Sequence, residues 1–203
     1  MSRRFRPARH HDSWHHIEQM RELRGPRGPL PQVALAGRSN AGKSSLVNTL
    51  LGPDMAYVSR TPGKTRALEV FISAAHAVFV DLPGYGYAAR SREERQQWQP
   101  LIDQYLHASR YLQALVIITD GRHPPFAMDI AMAEWALTQG VPTIILLNKW
   151  DATNQATRDA TRKAWETLGI AAHIQLLPFS CRTGLGLEVL EEMLWQMLSA
   201  PLK

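Results

Sequence analysis

Residues 37–45 read Gly37-Arg38-Ser39-Asn40-Ala41-Gly42-Lys43-Ser44-Ser45, directly after the aliphatic run Val33-Ala34-Leu35-Ala36 and running into the helical pattern Lys43–Leu51. This is G-x-x-x-x-G-K-S between a predicted strand and a predicted helix, the setting in which that motif wraps a phosphate. Glycines let the backbone close around an anion, successive N–H groups and the helix N-terminus face it, and Lys43 adds a positive charge. The Ser44 hydroxyl suits a Mg2+ ion beside the phosphates. The competing reading, a Gly-rich turn with an exposed lysine, does not explain the flanking strand and helix.

Outward from this loop, short β-branched or aliphatic runs alternate with longer helical patterns. The strands are expected at Val33–Ala36, Leu68–Ile72, Ala77–Asp81, Ala114–Thr119, Thr143–Leu147 and Ile174–Leu177. The helices are expected at Lys43–Leu51, Arg92–Ala108, Met128–Thr138, Arg158–Leu168 and Leu187–Leu198. Leu187, Leu190, Leu194 and Met197 make an apolar stripe at spacings of three and four. Ser91 with Glu94 reads as a capping box, and Gly169 as a helix stop. Strands separated by helices require crossovers, so the expected fold is α/β: a mostly parallel six-stranded sheet with helices on both faces. Ligands of such sheets bind beyond the carboxyl ends of the strands.

Three further segments fall at those ends. In Asp81-Leu82-Pro83-Gly84 the acid can support Mg2+ through water while the glycine N–H meets a γ-phosphate. In Asn148-Lys149-Trp150-Asp151 the Asp151 carboxylate can accept from both N1–H and the exocyclic amine of guanine, a pairing adenine cannot offer, so Asp151 selects GTP over ATP. Asn148 contacts the other base edge or braces neighbouring loops, and the Lys149 stem covers the ring. In Phe179-Ser180-Cys181 a backbone N–H can reach guanine O6, with Ser180 fixing the turn. Cys181 reads as a small buried hydrophobe rather than a nucleophile.

The 203 residues hold 45% hydrophobic and 20% charged residues, enough for one globular domain with a full core. A single cysteine excludes an internal disulfide and thiol-based zinc or redox chemistry. The longest apolar stretches are of strand length, and the basic N-terminus has no apolar run after its charges, so the chain reads as cytoplasmic, neither exported nor membrane-inserted. Of the formal charge of +5, residues 1–30 supply seven arginines against three acids. That segment, rich in Arg, His, Pro and Gly without apolar period, reads as a basic flexible arm with a short helix near Trp14–Leu23, and residues 31–203 as the globular domain. His10, His11, His15 and His16 read as solvated. Trp98, Trp135, Trp165 and Trp195 are expected to pack their helices against the sheet.

The stretches Gly37 to Ser45, Arg60-Thr-Pro-Gly-Lys-Thr-Arg66, Asp81-Leu-Pro-Gly-Tyr-Gly-Tyr-Ala88 and Asp120-Gly-Arg-His-Pro-Pro125, with Asp129 and Trp135 beyond, resemble the EngB family of bacterial ribosome-biogenesis GTPases, from about Pro31 to Leu198. The resemblance implies a Ras-like sheet with one antiparallel strand, Mg2+-dependent GTP hydrolysis, a part in large ribosomal subunit assembly, and a need for the protein in normal cell division and septation. It places the switch segment at Gly63, Lys64, Thr65, Arg66 and Ala67, with Thr65 as second Mg2+ ligand beside Ser44. Catalysis would involve Lys43, Thr65, Gly84 and Asn40, the last helping to hold K+ near the phosphates; Asn40 as a plain turn residue is the other reading. Where Ras-type enzymes carry a glutamine this chain has Tyr85, a poor base at neutral pH, so slow intrinsic turnover is expected. The implied partners are GTP or GDP and a large-subunit precursor or rRNA, reached by a monomer through its basic arm. An alternative is a nucleotide-dependent RNA- or ribosome-binding module with little hydrolysis. Removing residues 1–28 is then expected to weaken ribosome association while sparing GTP affinity.

Overall fold

The computed structural model describes residues 3–20, 22–56, 67–85, 92–170 and 174–201, without the side chains of Ile17 and residues 92–99. Its centre is β4 (Gln32–Gly37), fully buried and flanked by the parallel strands β6 (Val78–Asp81) and β7 (Leu112–Asp120). Beyond β7 lie β8 (Thr143–Asn148) and β9 (Gln175–Pro178), both parallel. On the other side β5 (Leu68–Ser73) runs antiparallel to β6, and β1 (Ala8–Trp14) runs antiparallel to β5. The order is β1-β5-β6-β4-β7-β8-β9, with β5 alone reversed, as the resemblance implies. A hairpin of β2 (Arg24–Gly25) and β3 (Gly28–Pro29) precedes β4.

All six expected strands are present, and the sheet nevertheless has seven. The seventh overturns the reading of residues 1–30 as a flexible arm. Ala8–Trp14 pairs with β5 along its length, with a register shift between His10 and Asp12. Phe5 and Trp14 are almost fully buried, and Phe5 meets the Phe79 ring edge-on at 5.1 Å. The Arg6 guanidinium donates to the carbonyls of Asn48 at 2.9 Å and Thr49 at 2.6 Å. Those carbonyls lie in the last turn of the helix α1 (Lys43–Leu51), where C=O groups run out of helical partners, and that of Asn48 also accepts from the Gly52 N–H at 3.2 Å. The expected helix near Trp14–Leu23 is reduced to a single 3-10 turn at Ile17–Gln19. Ladder bonds, two aromatic anchors and a cap thus order a segment whose composition suggests none.

Alternate residues of the strands face opposite layers, as a pleated sheet demands. Val33 and Leu35, Val116 and Ile118, and Ile144 and Leu146 pack against α1 and α5 (Leu187–Leu198), through Leu46, Leu50, Leu187, Leu190 and Leu194. Ala34, Leu115, Ile117 and Ile145 face the opposite layer of α2 (Arg92–Ala108), α3 (Ala127–Thr138) and α4 (Gln155–Glu166), meeting Tyr105, Ala133 and Trp165. Trp195 departs from expectation: it is 41% exposed and lies under the Arg4 guanidinium instead of against the sheet. Trp98 and the Ser91–Glu94 capping box fall outside the described groups. Among the described residues no helix is long and apolar enough to cross a membrane.

Candidate nucleotide-binding site

The phosphate loop leaves β4 at Gly37 and enters α1 at Lys43. Asn40 and Gly42 both adopt positive φ, 68° and 110°. At Gly42 a Cβ would collide with the Asn148 side-chain amide, so only glycine lets the loop close there. Because β6 lies parallel beside β4, Asp81 falls in register with Leu35 and its carboxylate reaches the loop from below. Lys43 Nζ donates to Asp81 Oδ1, and both groups are buried. Burial pushes the Asp81 carboxyl above its ordinary range, and the adjacent ammonium opposes that rise. Gly84 packs on Ser39 so closely that a Cβ would sit 3.1 Å from its hydroxyl. Ser44 and Ser45 occupy the first turn of α1 beside Lys43.

On the other flank, Asn148 ends β8 and is buried between two loops. Its Nδ2 donates to the Ala41 carbonyl at 2.7 Å and its Oδ1 accepts from the Cys181 N–H at 3.1 Å. These two contacts tie the phosphate loop to the turn at Cys181. Lys149, itself at a positive φ of 62°, donates to the Asn40 carbonyl at 2.7 Å and to Asp120 Oδ2 at 2.8 Å. Burial would raise the Asp120 carboxyl, but hydrogen bonds from Arg122 and Lys149 outweigh it and hold the group well below the usual carboxylate range. Asp151 is lowered too, by Ser180 first and then Arg182, whose Nε donates to it at 2.8 Å. Cys181 is half-buried with its sulfur 3.9 Å from the Gly42 carbonyl, and burial pushes its thiol up to about 11, so it is no thiolate nucleophile.

Phosphate loop, buried acid, glycine and base-side carboxylate therefore converge on the carboxyl ends of β4, β6, β8 and β9. Residues 32–149 match the sequence signature of a family described as 50S ribosome-binding GTPase. Over 178 residues the chain is 41% identical to the probable GTP-binding protein EngB of Pelotomaculum thermopropionicum, covering 86% of this chain and 90% of that protein. Identity to the Bacillus cytotoxicus protein of the same description is 41% over 174 residues, covering 85% and 88%. The chain belongs to the EngB family of GTP-binding proteins. Its fold matches a crystal structure of a probable GTP-binding protein EngB with a TM-score of 0.64 at 21% identity, covering 82% of this chain and 98% of that one. Era of Aquifex aeolicus, bound to GDP and aluminium fluoride, superposes with a TM-score of 0.70 at 21% identity, over 85% of this chain and 58% of Era.

Not every site residue expected of an EngB protein faces the ligand side in the same way. Ala41, Leu82, Pro83, Trp150 and Phe179 are buried, leaving their backbone as the part that can meet a nucleotide. Gly63, Lys64, Thr65 and Arg66 lie outside the described residues, and Ala67 is buried where β5 begins. Tyr85 is only 1% exposed, and its phenol donates to Asp129 Oδ1 at 2.7 Å. Asp120 and Arg182 were not singled out as site residues, yet they hold Lys149 and Asp151. The available signal for Asp120 was its position: a carboxylate at the end of a strand, on the ligand side of the sheet.

Proposed function

We propose that this EngB-family chain binds GTP and GDP here, hydrolyses GTP with Mg2+, and acts as a switch in large ribosomal subunit assembly, on which normal cell division and septation depend. The observation that carries the reading is the buried Lys43–Asp81 pair beside a phosphate loop against which Gly84 packs at Ser39. A buried carboxylate next to the helix turn that carries Ser44 fits a divalent cation. Ser44 would hold Mg2+, with Thr65 as second ligand and Asp81 supporting through water; when bound, the ion neutralises charge on the phosphate oxygens.

The chain's own groups do the rest. Lys43 stabilises negative charge on the phosphates, the Gly84 N–H senses the terminal one, and Asp151 reads guanine. The loops that carry them are held together by Asn148 and Lys149. Tyr85 is no base here: burial and Asp129 push its phenol well above the ordinary range. Water must then be positioned by backbone groups and nearby cations, which supports slow intrinsic turnover that a ribosomal partner raises. Asn40 is the candidate K+ ligand, and replacing KCl by NaCl at constant ionic strength is expected to slow hydrolysis.

The burial of Tyr85 also favours a second reading, a nucleotide-dependent binding module with little hydrolysis. Multiple-turnover phosphate release with and without ribosomal particles separates the two. Co-sedimentation with large-subunit precursors that is stronger with a GTP analogue than with GDP supports the switch, and equal binding in both states overturns it.

A further inference from the structure

Tyr85 is tied to its surroundings from two sides. Its backbone is stitched to the phosphate loop: the Ser39 N–H donates to its carbonyl at 3.0 Å, and its own N–H donates to the Gly37 carbonyl at 3.3 Å. Its side chain enters the core and donates to Asp129 Oδ1. Asp129 stands in the first turn of α3, and its second oxygen accepts from the Phe126 N–H at 3.0 Å, capping that helix. Phe126 in turn lies under the guanidinium of Arg38, 3.8 Å from its ring centre, and Arg38 belongs to the phosphate loop. The path closes on itself: phosphate loop, Tyr85, Asp129, Phe126, phosphate loop.

A core position next to Asp81-Leu82-Pro83-Gly84 could be filled by phenylalanine with the same packing. A phenol facing a buried carboxylate instead gives a directional bond and a penalty for any arrangement that breaks it. Gly84, one residue away, is thereby held at contact distance from Ser39. A third phosphate on the nucleotide must be accommodated against this turn, whereas a diphosphate makes no such demand.

We propose that Tyr85 and Asp129 are positioning residues that fix the Gly84 turn against the phosphate loop, and so set how strongly the site prefers a nucleoside triphosphate to a diphosphate, with the start of α3 as part of the sensor. The inference rests on the nucleotide-site reading above, and its test is a binding ratio that does not depend on hydrolysis. Dissociation constants for GDP and for a non-hydrolysable GTP analogue are measured on the full chain, on Tyr85→Phe and on Tyr85→Phe/Asp129→Leu. In Tyr85→Phe, GDP affinity should stay within about twofold while analogue affinity falls about tenfold, the size of an ordinary coupling between sites. The double variant removes the Asp129 carboxylate together with its cap on α3, so it should not regain the analogue preference. Parallel loss of both nucleotides, no loss of either, or recovery of the preference in the double variant would overturn the proposal. Absence of phosphate release from the unaltered chain would instead overturn the hydrolytic function and leave these ratios readable.

Discussion

Residues 37–45 and residues 3–14 are both short segments with arginine close to the sheet, and they reach order by opposite routes. In the phosphate loop the constraint is local: Gly42 takes φ 110°, Asn40 takes φ 68°, and the helix begins at the next residue. The N-terminal segment has no such local grammar. It becomes a strand because Glu69, Phe71, Phe79 and the end of α1, all distant in sequence, supply its partners. A motif can be read from nine residues, whereas an edge strand can be read only from the sheet it joins.

Removing the distant partners should therefore produce the largest effect. Deleting residues 1–14 strips a strand and two buried aromatics whose truncation alone costs about 3–5 kcal/mol each. The total approaches the whole stability of an ordinary domain, about 5–15 kcal/mol. The truncated chain should lose cooperative urea unfolding, and an unchanged midpoint would mean that β1 is dispensable. The consequence reverses the expectation for a 1–28 deletion: such a variant should lose nucleotide binding along with ribosome association, because the fold fails.

The next effect lies on the local side of the comparison. Asp151→Asn should lower the preference for guanine nucleotides about a hundredfold and shift it toward xanthine nucleotides, since a mismatched polar edge is costly. Its partner Arg182 is 76% exposed, so thermal stability should hardly move. Competition binding against GDP and XDP reads both, and unchanged preference would remove Asp151 from the base site.

The same contrast explains what was legible in the sequence. Helices at Lys43–Leu51, Arg92–Ala108 and Leu187–Leu198 begin and end where periodicity places them, and six strands follow from aliphatic runs. β1 was hidden because its side chains are mostly exposed and polar, with Trp14 its one buried member, and because a register shift interrupts it. Those are features that protect an edge strand from unwanted pairing, and they erase the pattern by which strands are found. In the site, positions were legible but directions were not. Nothing local says that Tyr85 turns into the core toward Asp129, or that Asn148 braces Ala41 to Cys181. Asp120 meets Lys149 because β7 and β8 register Asp120 opposite Asn148, a fact of sheet geometry.

Asp120 supplies a smaller effect that joins the two kinds of order, since a long-range pairing supports a local motif. Asp120→Asn should weaken GDP binding about fivefold, the loss of roughly one charge-assisted hydrogen bond to Lys149. The pH dependence follows from its depressed folded-state pKa. Its stabilisation is fully present above the unfolded value of about 4 and is lost as pH falls below it. The stability difference between the unaltered chain and Asp120→Asn should therefore shrink on acidification below about pH 4, as read by urea unfolding. A gap that widens with acid would contradict the pairing.

The smallest effect tests what remains of the basic arm once most of it is built into the fold. Arg4 is paired with Glu192, Arg6 caps α1 and Arg24 is paired with Glu22, so these charges already have internal duties. Arg9 on β1 and Arg27 in the β2–β3 turn are exposed, and among the described residues neither forms a salt bridge. If ribosome association uses this face, its charge is carried by a rigid strand edge and hairpin rather than by a loose tail. Arg9→Ala with Arg27→Ala should then reduce the slope of log affinity against log salt by about 1.5, close to one counterion per lost phosphate contact. Core packing is untouched, so GDP affinity and the urea midpoint should stay at their original values. An unchanged salt slope would move the ribosome contact away from the N-terminal edge, leaving β1 as purely a piece of the sheet.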